Sequence, residues 1–151
     1  AALEYIYKQN KVKTIGVCNF EKEQLQHLLS HCTIAPIINQ IEHTPLMHDE
    51  DLLSFCKENN IITMAWAIIK RKHENQKIKE IAQKYNKSPA QILLRWNIQQ
   101  NIIPIPKSKN PARLEENFFV FDFTLEDKDM QVLNSMNENH RTSYNPLTFD
   151  F

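Results

Sequence analysis

The stretch Ile102-Ile103-Pro104-Ile105-Pro106-Lys107-Ser108-Lys109-Asn110-Pro111-Ala112-Arg113 reads as one strand–loop–helix unit, and that reading decides the fold class. Ile102 to Ile105 is a short apolar β-type run that delivers Lys107 and Ser108 to a loop. Pro111 suits the first turn of a helix, which places Arg113 within that turn. Free N–H groups and the positive end of the helix dipole then meet an ammonium, a hydroxyl and a guanidinium, a set suited to a dianionic phosphate. Glu116 and Asn117, one turn further on, are placed to hydrogen-bond a base or sugar beyond it. The competing reading is a helix start with scattered surface cations, which composition alone does not separate from a pocket.

The same alternation extends toward the N-terminus. The chain has a single glycine, Gly16, so another residue must end its helices in the left-handed conformation. Asn10, Asn60, Asn86 and Asn101 each sit between an amphipathic stretch and a new start, where asparagine best replaces glycine. Between these marks, Leu3 to Gln9 reads as a helix end, Lys13 to Val17 as a strand, Glu21 to Ser30 as a helix and Ile37 to Ile41 as a strand. Asp49 to Glu58 follows as a helix with Leu52, Leu53 and Cys56 on one face. Ile61 to Ala65 is a buried strand and Ile78 to Lys84 a helix. Ser88-Pro89-Ala90-Gln91 is a capping box with Pro at the first helical position, and Ile92, Leu93 and Trp96 give that helix its apolar face. Pro111 to Phe118 is the next helix, and Leu125 to Met136 the last, with Met130, Leu133 and Met136 inward.

With 151 residues, 42% hydrophobic and 24% charged, the composition is that of one ordinary globular domain. Lys plus Arg balance Asp plus Glu at 18 each, so no global field favours nucleic acid or an anionic membrane. Cys18, Cys32 and Cys56 form no C-x-x-C pair, and the odd count fits a reducing cytoplasm better than a secreted disulfide framework. Ile61 to Ile69 is too short to span a bilayer, and Ala1-Ala2-Leu3-Glu4 lacks the regions of a signal peptide, reading instead as the middle of a helix. His27 and His31 stand at i, i+4, but with no third ligand placed by sequence they read as a solvated pair, and no metal is expected. Cys32 and Cys56 sit in apolar helical contexts, where inert core thiols are the default.

Four strands alternating with helices argue for parallel βα units, whose working loops lie at the C-terminal strand ends. Cys18 and Asn19 follow the first strand, Asn39, Gln40 and Glu42 close the second, Trp66 ends the third, and Lys107 and Ser108 end the fourth. One rim is expected to collect them. Asn and Gln side chains complement a carboxamide, and an aromatic face such as Trp66 suits stacking on a flat heterocycle.

These motifs resemble the second half of an aldo-keto reductase, the NADPH-dependent (β/α)8 barrel family. The resemblance rests on Ile15-Gly16-Val17-Cys18-Asn19-Phe20, Asn39-Gln40-Ile41-Glu42, Leu52-Leu53-Ser54-Phe55-Cys56, Ser88-Pro89-Ala90-Gln91 with Leu94-Arg95-Trp96, and the Ile105 to Asn117 segment. The tail, Arg141, Asn145-Pro146 and Phe149, is similar to the ending of bacterial members of the glyoxal or 2,5-diketogluconate reductase type, so the natural C-terminus is expected to be present. The resemblance implies an α/β fold, with residues 1–151 forming strands five to eight of a TIM barrel and the N-terminal half absent. It implies that Asn19 and Gln40, with Cys18 where Ser is usual, hold the nicotinamide carboxamide and that Trp66 stacks on its ring. Lys107, Ser108 and Arg113 would bind the adenosine 2′-phosphate of NADP(H), with Glu116 and Asn117 at the adenine.

The family's catalytic Asp, Tyr, Lys and His lie on the first half of the barrel, and no residue here matches them. Carbonyl reduction by this chain alone is therefore not expected, and a small-molecule carbonyl substrate enters only if an N-terminal half completes the barrel. The rim also departs from the pattern. Ala67-Ile68-Ile69-Lys70 replaces the usual Ser-Pro-Leu-Gly, and Glu42-His43-Thr44-Pro45 replaces Glu-x-His-Pro with the His displaced. Half a barrel leaves two open sheet edges and an apolar interior, so self-association or pairing with a separate N-terminal half is expected. A nonenzymatic relic that binds NADP(H) weakly or merely self-associates is the alternative.

Overall fold

The computed structural model describes residues 1–69, 74–142, 145, 146 and 148. Lys70 and Phe149, both used above, lie outside them. The elements alternate as expected: α1 (Ala2–Lys8), β1 (Gly16–Cys18), α2 (Lys22–His31), β2 (Ile38–Glu42), α3 (Glu50–Glu58), β3 (Ile62–Trp66), α4 (Gln76–Lys84), α5 (Pro89–Gln99), β4 (Ile103–Pro104), α6 (Pro111–Phe118) and α7 (Asp127–Asn134). The strands form one sheet in the order β1-β2-β3-β4. β1 and β2 run parallel, with Gly16, Val17 and Cys18 opposite Ile38, Asn39 and Gln40. The chain divides into two compact units.

The first unit holds Ala1–Ile41 and Asp49–Met64 with Asn145, Pro146 and Thr148. Its core is Leu25, Ile41, Leu52, Cys56 and Ile61, with Val17, Phe20, Leu29, Leu53 and Phe55 packed against it. Helix α2 starts at a capping box between Glu21 and Gln24, and α3 at Asp49, whose carboxylate accepts from Leu52 N–H at 3.0 Å. Gly16 is required by space: a Cβ there would stand 3.0 Å from the Ile38 carbonyl oxygen on the neighbouring strand. His27 and His31 are exposed, their rings 4.3 Å apart, with His31 Nδ1 against the His27 carbonyl oxygen.

The second unit holds Glu42–His48 and the described chain from Ala65 to Thr142. Helix α5 is its hub: Ile92, Leu93, Leu94 and Trp96 are buried, as are Ile78, Ile81 and Ala82 of α4. The polar side of α5 braces the end of α6 and the chain that follows it. Gln91 Nε2 donates to the carbonyls of Glu116 at 3.1 Å and Phe119 at 2.8 Å. Arg95 reaches the Val120 carbonyl and the Thr124 hydroxyl. Helix α7 is tied to α4 through Lys84, which pairs with Asp129 at 2.7 Å and Glu126 at 2.9 Å, while the Tyr85 hydroxyl donates to Asp129. These contacts push the Lys84 ammonium pKa upward, the Asp129 carboxylate being the largest cause.

The asparagine reading holds at all four positions: Asn10, Asn60, Asn86 and Asn101 have φ of 55°, 57°, 51° and 60°. Asn19, Asn139 and Ala67 also take positive φ and were not foreseen. Several boundaries moved. β1 lies at Gly16–Cys18 and not from Lys13, and α4 begins at Gln76, where Asn75 caps Lys77 N–H at 3.0 Å. Helix α7 is shorter than expected; Leu133 and, just beyond the helix, Met136 are buried as expected, Asp129 is buried beside them, and Met130 is only half-buried.

Burial of His43 has a consequence for acid stability. Asn97 Nδ2 donates to the Leu93 carbonyl, so Asn97 Oδ1 is an acceptor, and His43 Nδ1 at 2.9 Å from it must carry the proton. His43 Nε2 is thus a bare, buried lone pair with no partner among the described residues. Burial lowers the His43 pKa to about 4 from the ordinary 6.5. Between these values the unfolded chain binds more protons than the folded one, so stability falls as pH drops through that window, by about 3 kcal/mol in all. Urea midpoints measured from pH 7 to pH 4 should show this slope, and His43→Gln should flatten it.

Candidate functional site

In the second unit the segment after β4 builds a cavity of about 210 Å³, lined by Lys107, Ser108, Arg113, Glu116 and Asn117. All five phosphate and adenine candidates therefore share one space. Local chemistry shapes the loop. Ser108 Oγ accepts from Asn110 N–H at 3.1 Å, and Asn110 Oδ1 accepts from Ala112 N–H at 2.9 Å, which starts α6 with Pro111 in its first turn. On the first turn of α6, Arg113 faces the same cavity as Glu116 and Asn117 one turn further on.

The opposite wall was not anticipated as part of the site: it is Ser88, Pro89 and Ala90 at the start of α5, with Ile69. The start of α5 and the Arg113, Glu116 and Asn117 side of α6 therefore border one cavity. The sequence marks Ser88 only as a cap, and its Oγ does accept from Gln91 N–H at 3.3 Å. Lys107 and Arg113 are exposed, and among the described residues neither meets a carboxylate within 4.0 Å. Glu116 lines the cavity without neutralising them. An anion entering here meets two cations that have no carboxylate within 4.0 Å among the described residues, together with the Ser108 hydroxyl.

In the first unit, Cys18, Asn19 and Gln40 are brought together. Asn19 N–H donates to the Gln40 carbonyl at 2.7 Å, and Asn19 turns the chain at φ 58°. The Cys18 thiol donates to Gln40 Oε1 at 3.7 Å, and Gln40 Nε2 donates to Met64 Sδ at 3.5 Å. Asn39 and Glu42, placed on the working rim by sequence, are buried braces. Asn39 Nδ2 donates to the Phe20 carbonyl at 2.8 Å, and Glu42 accepts from the Thr142 N–H and hydroxyl. Trp66 ends β3 in the second unit, half-buried, and is not among the residues lining the cavity. Cys56 is buried among core side chains, which pushes its thiol pKa up.

Ala67, immediately after Trp66, holds φ 58° with a Cβ, a conformation that costs about 1–2 kcal/mol outside glycine. Ala67→Gly should therefore raise stability by about 1 kcal/mol, readable as a higher urea midpoint.

Strand–helix alternation with a cation-bearing helix start after the last strand defines a parallel βα protein whose last loop carries Lys107 and Ser108. The chain belongs to the Aldo/keto reductase family, whose model matches residues 1–72 and 69–138. It is similar to the 9,11-endoperoxide prostaglandin H2 reductase of Trypanosoma cruzi, 43% identical over 98% of this chain and 54% of that protein. It is also similar to the glyoxal reductase of Bacillus subtilis, 38% identical over 96% of this chain and 53% of that protein. Among solved structures, an aldo-keto reductase from a Medee basin deep-sea metagenome library superposes with a TM-score of 0.95, at 37% identity, over 99% of this chain and 57% of that one. An aldo-keto reductase of the silkworm Bombyx mori, complexed with NADPH, matches with a TM-score of 0.89 and 30% identity over 94% of this chain and 47% of that one. The chain spans about half the length of the curated relatives it matches.

Proposed function

We propose that this chain is the NADP(H)-binding C-terminal half of an aldo-keto reductase barrel, strands five to eight of eight, and that it reduces no carbonyl by itself. The observation that carries the reading is the cavity between the starts of α5 and α6, where Lys107 and Arg113 meet no carboxylate among the described residues. Arg113 offers a planar fork of donors and Lys107 a point charge, which together fit a phosphate monoester dianion. Lys107, Ser108 and Arg113 bind the 2′-phosphate, and Glu116 and Asn117 contact the adenine. Asn19 and Gln40 orient the carboxamide, and Trp66 stacks on the nicotinamide. NADPH, when bound, supplies a hydride. Delivering a proton to the carbonyl oxygen of an aldehyde or ketone needs an acid that these residues do not provide, so turnover requires an N-terminal half.

Titration of the purified chain with NADPH, followed by cofactor fluorescence and thermal stability with NADH as the control, tests the reading. Saturable binding that favours NADPH is expected. Equal binding of the two, or none, overturns it. A second reading, a nonenzymatic module that self-associates, is favoured by exposed Leu114, Phe118, Phe119 and Phe121 on and after α6. Concentration-dependent association in sedimentation without NADPH binding would select it.

A further inference from the structure

The side-chain amide of Gln40 is held on both sides by sulfur. Cys18 on β1 stands opposite Gln40 on β2 in the strand register, and its thiol lies 3.7 Å from Gln40 Oε1. On the other side, Met64 of β3 presents Sδ 3.5 Å from Gln40 Nε2. Chemistry sets the direction of each contact. A thioether has no proton, so only the amide N–H₂ can face Met64, and the thiol proton then meets the oxygen. Loss of solvent raises the Cys18 pKa, which keeps the sulfur a protonated donor near neutral pH. The clamp leaves Gln40 one lone pair on Oε1 and one N–H on Nε2, side by side. A carboxamide ligand offers the complementary N–H and C=O.

We infer that Cys18 and Met64 are positioning residues that fix the orientation of the Gln40 amide, so that its oxygen and nitrogen are presented to a carboxamide in one sense. Cys18 acts through Gln40 and not as a nucleophile. The inference rests on the cofactor reading above for the identity of the carboxamide, though not for the clamp itself. Either sulfur contact is weak alone, but losing one lets the amide turn over, so that donor faces donor when a ligand carboxamide arrives.

The test uses the full chain and three variants: Cys18→Ala, Met64→Leu and Cys18→Ser. NADPH binding is read by cofactor fluorescence, and adenosine 2′,5′-bisphosphate, which lacks the nicotinamide, by calorimetry. Cys18→Ala and Met64→Leu should each weaken NADPH about threefold to tenfold, the range of one ordinary hydrogen bond. Both should leave the bisphosphate unchanged, and Cys18→Ser, which keeps a donor, should restore NADPH binding. The ¹⁵N resonances of the Gln40 side-chain amide report the clamp without any cofactor. They should shift in Cys18→Ala and Met64→Leu and return in Cys18→Ser. Unchanged amide resonances in both variants overturn the inference, whatever the cofactor does. So does equal weakening of NADPH and the bisphosphate. If the wild-type chain binds neither ligand while the amide resonances respond as stated, the cofactor reading fails and the clamp stands.

Discussion

Replacing Arg113 by alanine is expected to weaken NADPH binding by about tenfold to a hundredfold while leaving NADH binding where it is, because a hydrogen bond to a charged group contributes about 1.5–3 kcal/mol. Arg113 is exposed on the first turn of α6 and makes no ion pair among the described residues, so its removal unbalances nothing in the folded chain. The loss should therefore appear in affinity and not in the unfolding midpoint. Arg113→Lys keeps the charge but not the fork of donors and should recover only part of the binding. Lys107→Ala should cost less than Arg113→Ala and share its salt dependence, since both cations are open to solvent. Fluorescence titration of each variant with both cofactors, at low and high salt, checks these outcomes. Equal losses for NADPH and NADH would place Arg113 away from the 2′-phosphate.

The largest effect on stability is expected at Trp96, where substitution by alanine should remove about 3–5 kcal/mol, a large part of the 5–15 kcal/mol that typically stabilises a domain. Trp96 is fully buried on α5, and its indole N–H donates to Asn134 Oδ1 of α7 at 2.7 Å. Its ring stacks on His43 at 4.6 Å with 13° between the planes, and His48 meets it edge-on at 5.7 Å. Alanine would leave a cavity between these rings and strand the Asn134 acceptor. Trp96→Phe fills much of the space but lacks the N–H, so it should cost about 1–3 kcal/mol for the unsatisfied partner. Urea unfolding of the two variants measures both. A loss below about 1 kcal/mol for Trp96→Ala would mean that the second unit does not depend on this stack.

Where the structure departs from the expectation, the departures share a cause. Some polar residues that the chain buries pair over long separations: His43 with Asn97, 54 positions apart, and Asp129 with the exposed Lys84, 45 apart. No local pattern marks them, so the sequence singles out neither His43–Asn97 nor Asp129 as buried, and it reads Glu42 as part of the working rim. The start of α4 was placed late because Asn75, its cap, lies in a polar run with no apolar period to align it. Ala67 gave no sign of its left-handed backbone, since alanine carries none of the side-chain chemistry that marks asparagine there. By contrast, α6 was read to the residue because Asn110-Pro111 sets both its cap and its first turn.

The sequence by itself determined the strand–helix alternation, the four asparagine helix ends and the family, because caps, left-handed residues and strand–loop–helix motifs are decided by neighbours within a few positions. It also named the cations and amides of the candidate site. Only the tertiary structure decided that Ser88 and the start of α5 face Lys107 and Arg113 across one cavity, and that two sulfurs grip Gln40. Those relations join residues on separate elements, and their distances follow from how helices and strands pack, which no spacing along the chain records.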